Sequence, residues 1–200
     1  YDIGLGIPAE PLFRSSLTGS TLTATGGINI IGKGKVATAV AAQLSGTLKG
    51  DGRIVYSAKP TGMTFSDSAW TGTVELNSMT LTALQFSDYG NSRSTVCANG
   101  LTCYPKLDNT DHGAVGIIEV GAGGLTFNEK YHSQRSVFSA ALTGSGAIHV
   151  NTTQGDGEKL NQFIFTGDVS GFSGSIDFST SPAWKSPQVV FTDSLSNAQS

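Results

Sequence analysis

The chain has 200 residues and a formal net charge of −3, and its 12 basic residues are scattered singly, so it has no basic stripe to displace counterions from a phosphate backbone. Charged residues make up 14% against an ordinary share of about 25%, while 26 glycines nearly double the usual glycine share of about 7%. Such low charge excludes a self-repelling disordered chain, no apolar run approaches the roughly 18 to 20 residues that span a bilayer, and the opening YDIGLGIPAEP lacks the layout of a signal peptide.

From the amino end onward the pattern is alternation with a period of two. TLTAT, RIVYS, TVELN, MTLTAL, GIIEV, LTFNE, AIHVN, QFIFTG, SIDFS and QVVFT are short β-type runs bounded by Gly, Asn, Asp or Ser. KVATAVAAQL (35–44) is the one stretch with a helical aspect, yet it reads Val-Thr-Val, and SQRSVFSAAL further on alternates in the same way. Both are predicted as strands. The Thr-x-Thr strings at Thr21–Thr23 and Thr80–Thr82 do not recur in the sequence at a coil period, and ordinary strand propensity accounts for them.

The runs also repeat at long range. Gly26-Gly27 before INI returns as Gly123-Gly124 before LTF, LSG at Leu44 returns as LTG at Leu142, and Gly52-Arg53-Ile54 returns as Gly146-Ala147-Ile148. Phe65 matches Phe165, and WTGTVEL (70–76) matches FSGSIDF (172–178). Collinear self-similarity marks an architecture whose units bury their apolar faces by stacking on neighbours. The copies run over about 26–76 and 123–178 of one 1–200 module, with about 87–116 between them as an insertion.

Short strands can build a sandwich, a barrel or a solenoid. Asn-Gly and Asp-Gly dipeptides of the kind that turn tight hairpins are few, Asn99-Gly100 with Asp51-Gly52 and Asp156-Gly157, and most linkers are Gly-Ser-Thr stretches, which favours an all-β parallel β-helix with coils of about 20 to 25 residues. The expected interior is Ile28, Ile30, Leu44, Ile54, Val74, Leu76, Ile148, Val150, Phe165, Ile176 and Phe178, with Trp70 and Phe172 stacked at matching repeat positions. Cys97 and Cys103 flank Asn99-Gly100, so a hairpin there would set the thiols face to face as a structural disulfide and point to an oxidising compartment. Two reduced thiols in a turn are the alternative.

The stretch LTGSGAIHVNTTQGDGEKLNQFIFTGDVSGFSGSIDFS (142–179) resembles the passenger-associated repeat of bacterial autotransporters. Its anchors fall on Leu142, Gly144, Gly146, Ile148, Phe165, Gly167, Phe172, Gly174 and Ile176, and a weaker copy covers 44–76. The resemblance implies a right-handed parallel β-helix displayed outside the bacterial cell, and small disulfide loops on such passengers agree with the cysteine pair.

Chemistry-bearing sets are sparse. His112, His132 and His149 stand in unrelated contexts without HxH or HExxH, and no G-x-S-x-G elbow is present. Asp108, Asp111 and Glu119, with Asp156 and Glu158, are the carboxylates that a polysaccharide-cleaving β-helix would need as an acid–base pair or to hold Ca²⁺, but they lie in Gly-rich loops where solvated turn residues are the usual explanation. No metal ligand set, cofactor motif or nucleophile is predicted. The expectation is a non-enzymatic adhesion or surface-recognition module acting on a host protein, a glycan or a neighbouring cell; a polysaccharide-active enzyme and a purely structural stalk are the rivals. Recognition is assigned to the insertion, on Tyr89, Arg93, Tyr104, Lys106 and His112 in a disulfide-stapled loop.

Overall fold

A computed structural model describes residues 14–17, 28–30, 35–38, 47–59, 64–105, 108–129, 135–152, 162–180 and 188–192. Among them are strands β1 (Arg14–Leu17), β2 (Ile28–Ile30), β3 (Lys35–Thr38), β4 (Thr47–Gly50), β5 (Arg53–Tyr56), β6 (Thr64–Trp70), β7 (Thr73–Asn77), β8 (Thr80–Leu84), β9 (Thr95–Asn99) and β10 (Leu101–Pro105). The series continues with β11 (Ile117–Val120), β12 (Leu125–Glu129), β13 (Arg135–Phe138), β14 (Ala141–Gly144), β15 (Ile148–Thr152), β16 (Gln162–Phe165), β17 (Gly171–Phe172), β18 (Ile176–Thr180) and β19 (Gln188–Phe191). A single 3₁₀ turn at Phe86–Asp88 is the only helical element among the described residues.

Among the described residues, strands that follow one another in the chain do not pair, and each strand pairs in parallel with strands one coil away. The first face is an eight-stranded sheet in the order β1-β3-β5-β7-β9-β11-β14-β17, and the second is a five-stranded sheet in the order β8-β10-β12-β15-β18. The third face is made of two three-stranded sheets, β2-β4-β6 and β13-β16-β19. The expected all-β parallel solenoid is therefore the fold.

The period-two pattern becomes a core because each inward residue lands on its counterpart in the next coil. On the first face Ile54, Val74, Val96, Ile118 and Leu142 are successive register partners, all fully buried. On the second face Leu101, Leu125 and Ile148 stack under Ile176, and Cys103 and Phe127 lie in register beneath Val150 and Phe178. The third face contributes an aromatic ladder in which Phe138, Phe165 and Phe191 are register partners, with ring centroids 5.0 and 5.5 Å apart. Offset stacking of this kind adds about 0.5 to 1.5 kcal/mol per pair beyond area burial.

Of the expected interior, Ile54, Val74, Leu76, Ile148, Val150 and Phe165 are fully buried and Ile176 packs against the core from the side. Phe178 is a correction: it is 48% exposed, because β18 belongs to the last described coil and has only Val150 beneath it. Ile28 and Ile30 lie in β2, but their side chains, like Leu44 altogether, fall outside the described residues. The two sequence copies use one corner at two places on the coil. After Trp70 the chain turns at Gly72 into β7 of the first face, whereas after Phe172 it turns at Gly174 into β18 of the second. A Cβ on Gly72 would lie 2.1 Å from the Gly52 carbonyl oxygen, and one on Gly174 would lie 1.9 Å from that of Gly146, so both corners require glycine where two coils touch backbone to backbone.

Candidate functional site

The residues assigned to recognition are best followed through β9 and β10. Asn99-Gly100, expected to turn a hairpin, instead joins the first face to the second, and both strands run parallel to their neighbours. Gly100 takes φ 74°, which favours glycine, and the corner is tied to the coils on either side: Ser78 N–H donates to Asn99 O at 2.9 Å and Gly100 N–H to Gly124 O at 2.9 Å. The Asn99 amide donates to Glu75 Oε1 at 2.9 Å, while its Oδ1 accepts from Gly123 N–H at 2.8 Å.

This geometry overturns the disulfide. Val96 and Ala98 point into the core, so Cys97 between them projects outward, in register with Glu75 on one side and Glu119 on the other. Cys103 points inward from a different sheet and is fully buried. Both thiols are free. Burial, reinforced by the Glu119 carboxylate, pushes the Cys97 thiol up to about 11, and burial alone raises that of Cys103. Arg53 folds beside Cys97, its Nε and Nη2 donating to Glu75 Oε2 at 2.9 and 2.8 Å.

The expected loop residues are dispersed. Tyr89 is buried in the core, and burial, followed by the neighbouring Asp88, pushes its phenol up to about 12. Arg93 is exposed, Tyr104 is half-buried on the second face, and Lys106 lies outside the described residues. His112 is 2% exposed. Residues 108–113 form part of the third wall: Phe86 N–H donates to His112 O at 2.7 Å, His112 N–H to Val137 O at 2.8 Å, and Asp111 bridges Val137. The described residues of the 87–116 segment thus supply strands to two faces and wall to the third.

The acidic residues there hold the wall in place. Asp108 accepts from Thr110 N–H at 3.1 Å and Thr110 Oγ1 at 2.6 Å, and its Oδ1 lies 2.6 Å from His112 Nε2. These contacts, Thr110 first and then His112, pull the carboxyl down to about 2. Asp111 accepts from Gly113 N–H at 2.8 Å, from Ser139 N–H at 3.1 Å and from the Ser139 hydroxyl. Glu119 lies on the first face, away from both, and Asp156, Glu158 and His132 are outside the described residues. No set of three or more His, Cys, Asp or Glu that could hold a metal ion occurs among the described residues.

What sequence reasoning missed is the outer surface of the second face. With Leu81, Leu101, Cys103, Leu125, Phe127, Ile148 and Val150 turned inward, the alternate residues form two outward columns. One runs Thr80, Thr102, Thr126, His149, Asp177 in strict register. The other joins Thr82 to Tyr104 and Asn128 through Asn151 to Ser179, and Asn151 Nδ2 donates to Asn128 Oδ1 at 3.0 Å. Thr80 therefore does recur at the coil period. The signal was hidden because the coil lengths differ: Thr102 follows Thr80 by a different interval than Thr126 follows Thr102. No helix among the described residues is long and apolar enough to cross a membrane. Comparison with protein-family models, with curated proteins and with solved structures finds no match.

Proposed function

We propose that the chain is a non-enzymatic recognition module of the kind carried by bacterial autotransporter passengers, working outside the cell and attaching through its long outer faces. The observation that supports this most directly is the engagement of the candidate carboxylates. Asp108 and Asp111 are taken up in backbone and hydroxyl contacts that hold the third wall, and Glu119 stands on another face, so an acid–base pair across one groove is not assembled from them. The corner glycines of the passenger-type motif all have a structural reason: a Cβ on Gly144, Gly146 or Gly167 would lie 2.3, 1.8 or 2.2 Å from a carbonyl oxygen of the coil below. The motif thus marks a stacked scaffold, and a long face of stacked rungs favours many weak contacts over one deep site. The test is attachment of the labelled 200-residue chain to bacterial and epithelial cells, run beside a screen for release of reducing or unsaturated sugar ends from polysaccharides. Saturable attachment without cleavage is the expected result. Cleavage of any polysaccharide, or no attachment to either cell type, overturns the reading.

A further inference from the structure

Five coils carry the two outward columns of the second face. Thr80, Thr82, Thr102, Tyr104, Thr126, Asn128, His149, Asn151 and the rung above them offer hydroxyls, amides, an imidazole and a phenol. Each can donate and accept, the pattern that sugar hydroxyls also present. Rungs of a parallel sheet repeat every 4.7 to 4.9 Å, so a chain lying along the solenoid axis meets the same kinds of group at each step. The Asn151–Asn128 amide contact holds two of these side chains in place before any ligand arrives.

The same face argues against other ligand classes. Among its described side chains no Lys or Arg is present, and Asp177 is the one carboxylate, 3.4 Å from His149 Nδ1, which disfavours polyanions such as sulfated glycans. Tyr104 is the one large side chain with an apolar ring on the columns, too little for the aromatic cluster that anchors a protein partner but enough for one sugar ring to stack on. His149, Asp177 and Tyr104 interrupt the threonines, which removes the uniform lattice that an ice surface demands.

From these features we infer that the second face, centred on Tyr104 and Thr126, binds an uncharged, hydroxyl-rich polysaccharide laid along the coil stack. The inference rests on the recognition reading above and names its ligand class. Laminarin, galactomannan and hydroxyethylcellulose are the probes, in affinity electrophoresis of the 200-residue chain, with heparin as the polyanion. At least one neutral polymer should retard the chain, and Tyr104→Ala and Thr126→Lys should each weaken that retardation tenfold or more. Lys49→Ala, exposed on β4 of the third face, should leave it unchanged. Both variant positions point outward, and far-ultraviolet circular dichroism checks that each variant keeps the fold. Retardation by heparin alone, none by the neutral polymers, or retardation of both face variants equal to that of the unaltered chain would sink the inference. Cell attachment of the same variants separates the two claims. Attachment without polysaccharide binding, or attachment untouched by Thr126→Lys, leaves the recognition module standing and removes this face; loss of all attachment by the unaltered chain removes both.

Discussion

Asp108 shows how one residue links the wall of the solenoid to pH. Its side chain is 46% exposed, yet it accepts two hydrogen bonds from Thr110 and one contact from buried His112, and its carboxyl is held at about 2 against an ordinary 3.8. A carboxylate with a depressed folded-state value stabilises the fold above the unfolded value, and that contribution is lost as pH falls from about 4 toward 2. Solvent screens a group this exposed, so the effect is small. Asp108→Asn should therefore lower the denaturant midpoint at about pH 6, with the difference from the unaltered chain shrinking steadily between about pH 4 and pH 2. A difference that stays constant over that range would mean that the carboxylate charge contributes nothing. Glycine acts at the same scale through space alone. A Cβ on Gly146 would sit 1.8 Å from the Gly121 carbonyl oxygen, a backbone atom with no side chain to swing aside.

At the scale of strands and corners, the thiols give the sharpest expectation. Cys97 in β9 and Cys103 in β10 belong to different sheets and face opposite ways, so unreduced protein should show two free thiols by mass spectrometry. Both should react with a thiol reagent only on unfolding, because burial raises both pKa values and blocks access. A Cys97–Cys103 bridge, or rapid labelling of the native chain, would refute this placement. Asn99-Gly100 supplies a left-handed glycine, and that local need is the same for a hairpin as for a corner between parallel strands. What distinguishes the two is the partner: Asn99 is tied to Glu75, 24 residues before it, and to Gly123, 24 residues after it, and no local window contains either. Strand positions and the inward set Ile54, Val74, Leu76, Ile148 and Val150 were legible because alternation is local. Polar composition says loop for His112, whereas 108–113 is laid against β13 by contacts that only the stack provides, and Tyr89 follows the 3₁₀ turn but is buried in the core. The outward columns with Thr126 at their centre escaped for the same reason: coils of unequal length hide a ladder that the register restores.

For the whole molecule, stability in a stacked array is approximately a sum over coils and the interfaces between them, so a coil removed in register should be tolerated. Thr95 is the register partner of both Thr73 below it and Ile117 above it. Deleting residues 95–116 brings Ile117 to the place of Thr95, sets Ile118 over Val74 and Val120 over Leu76, and leaves 87–94 to carry the chain round from the third face to the first. Deleting 87–116 removes that connection as well, including Asn91, whose amide donates to the Trp70 carbonyl at 3.0 Å, and joins Phe86 of the third wall directly to a strand of the first. The shorter deletion is therefore predicted to give a soluble all-β protein that unfolds cooperatively at a lowered midpoint, and the longer one to lose cooperative unfolding, both followed by circular dichroism on heating. If the two collapse alike, the coils are not interchangeable units; if the 87–116 deletion is as stable as the intact chain, that segment is a dispensable insertion after all, and the wall assigned to Asp108, Asp111 and His112 does not hold the stack together.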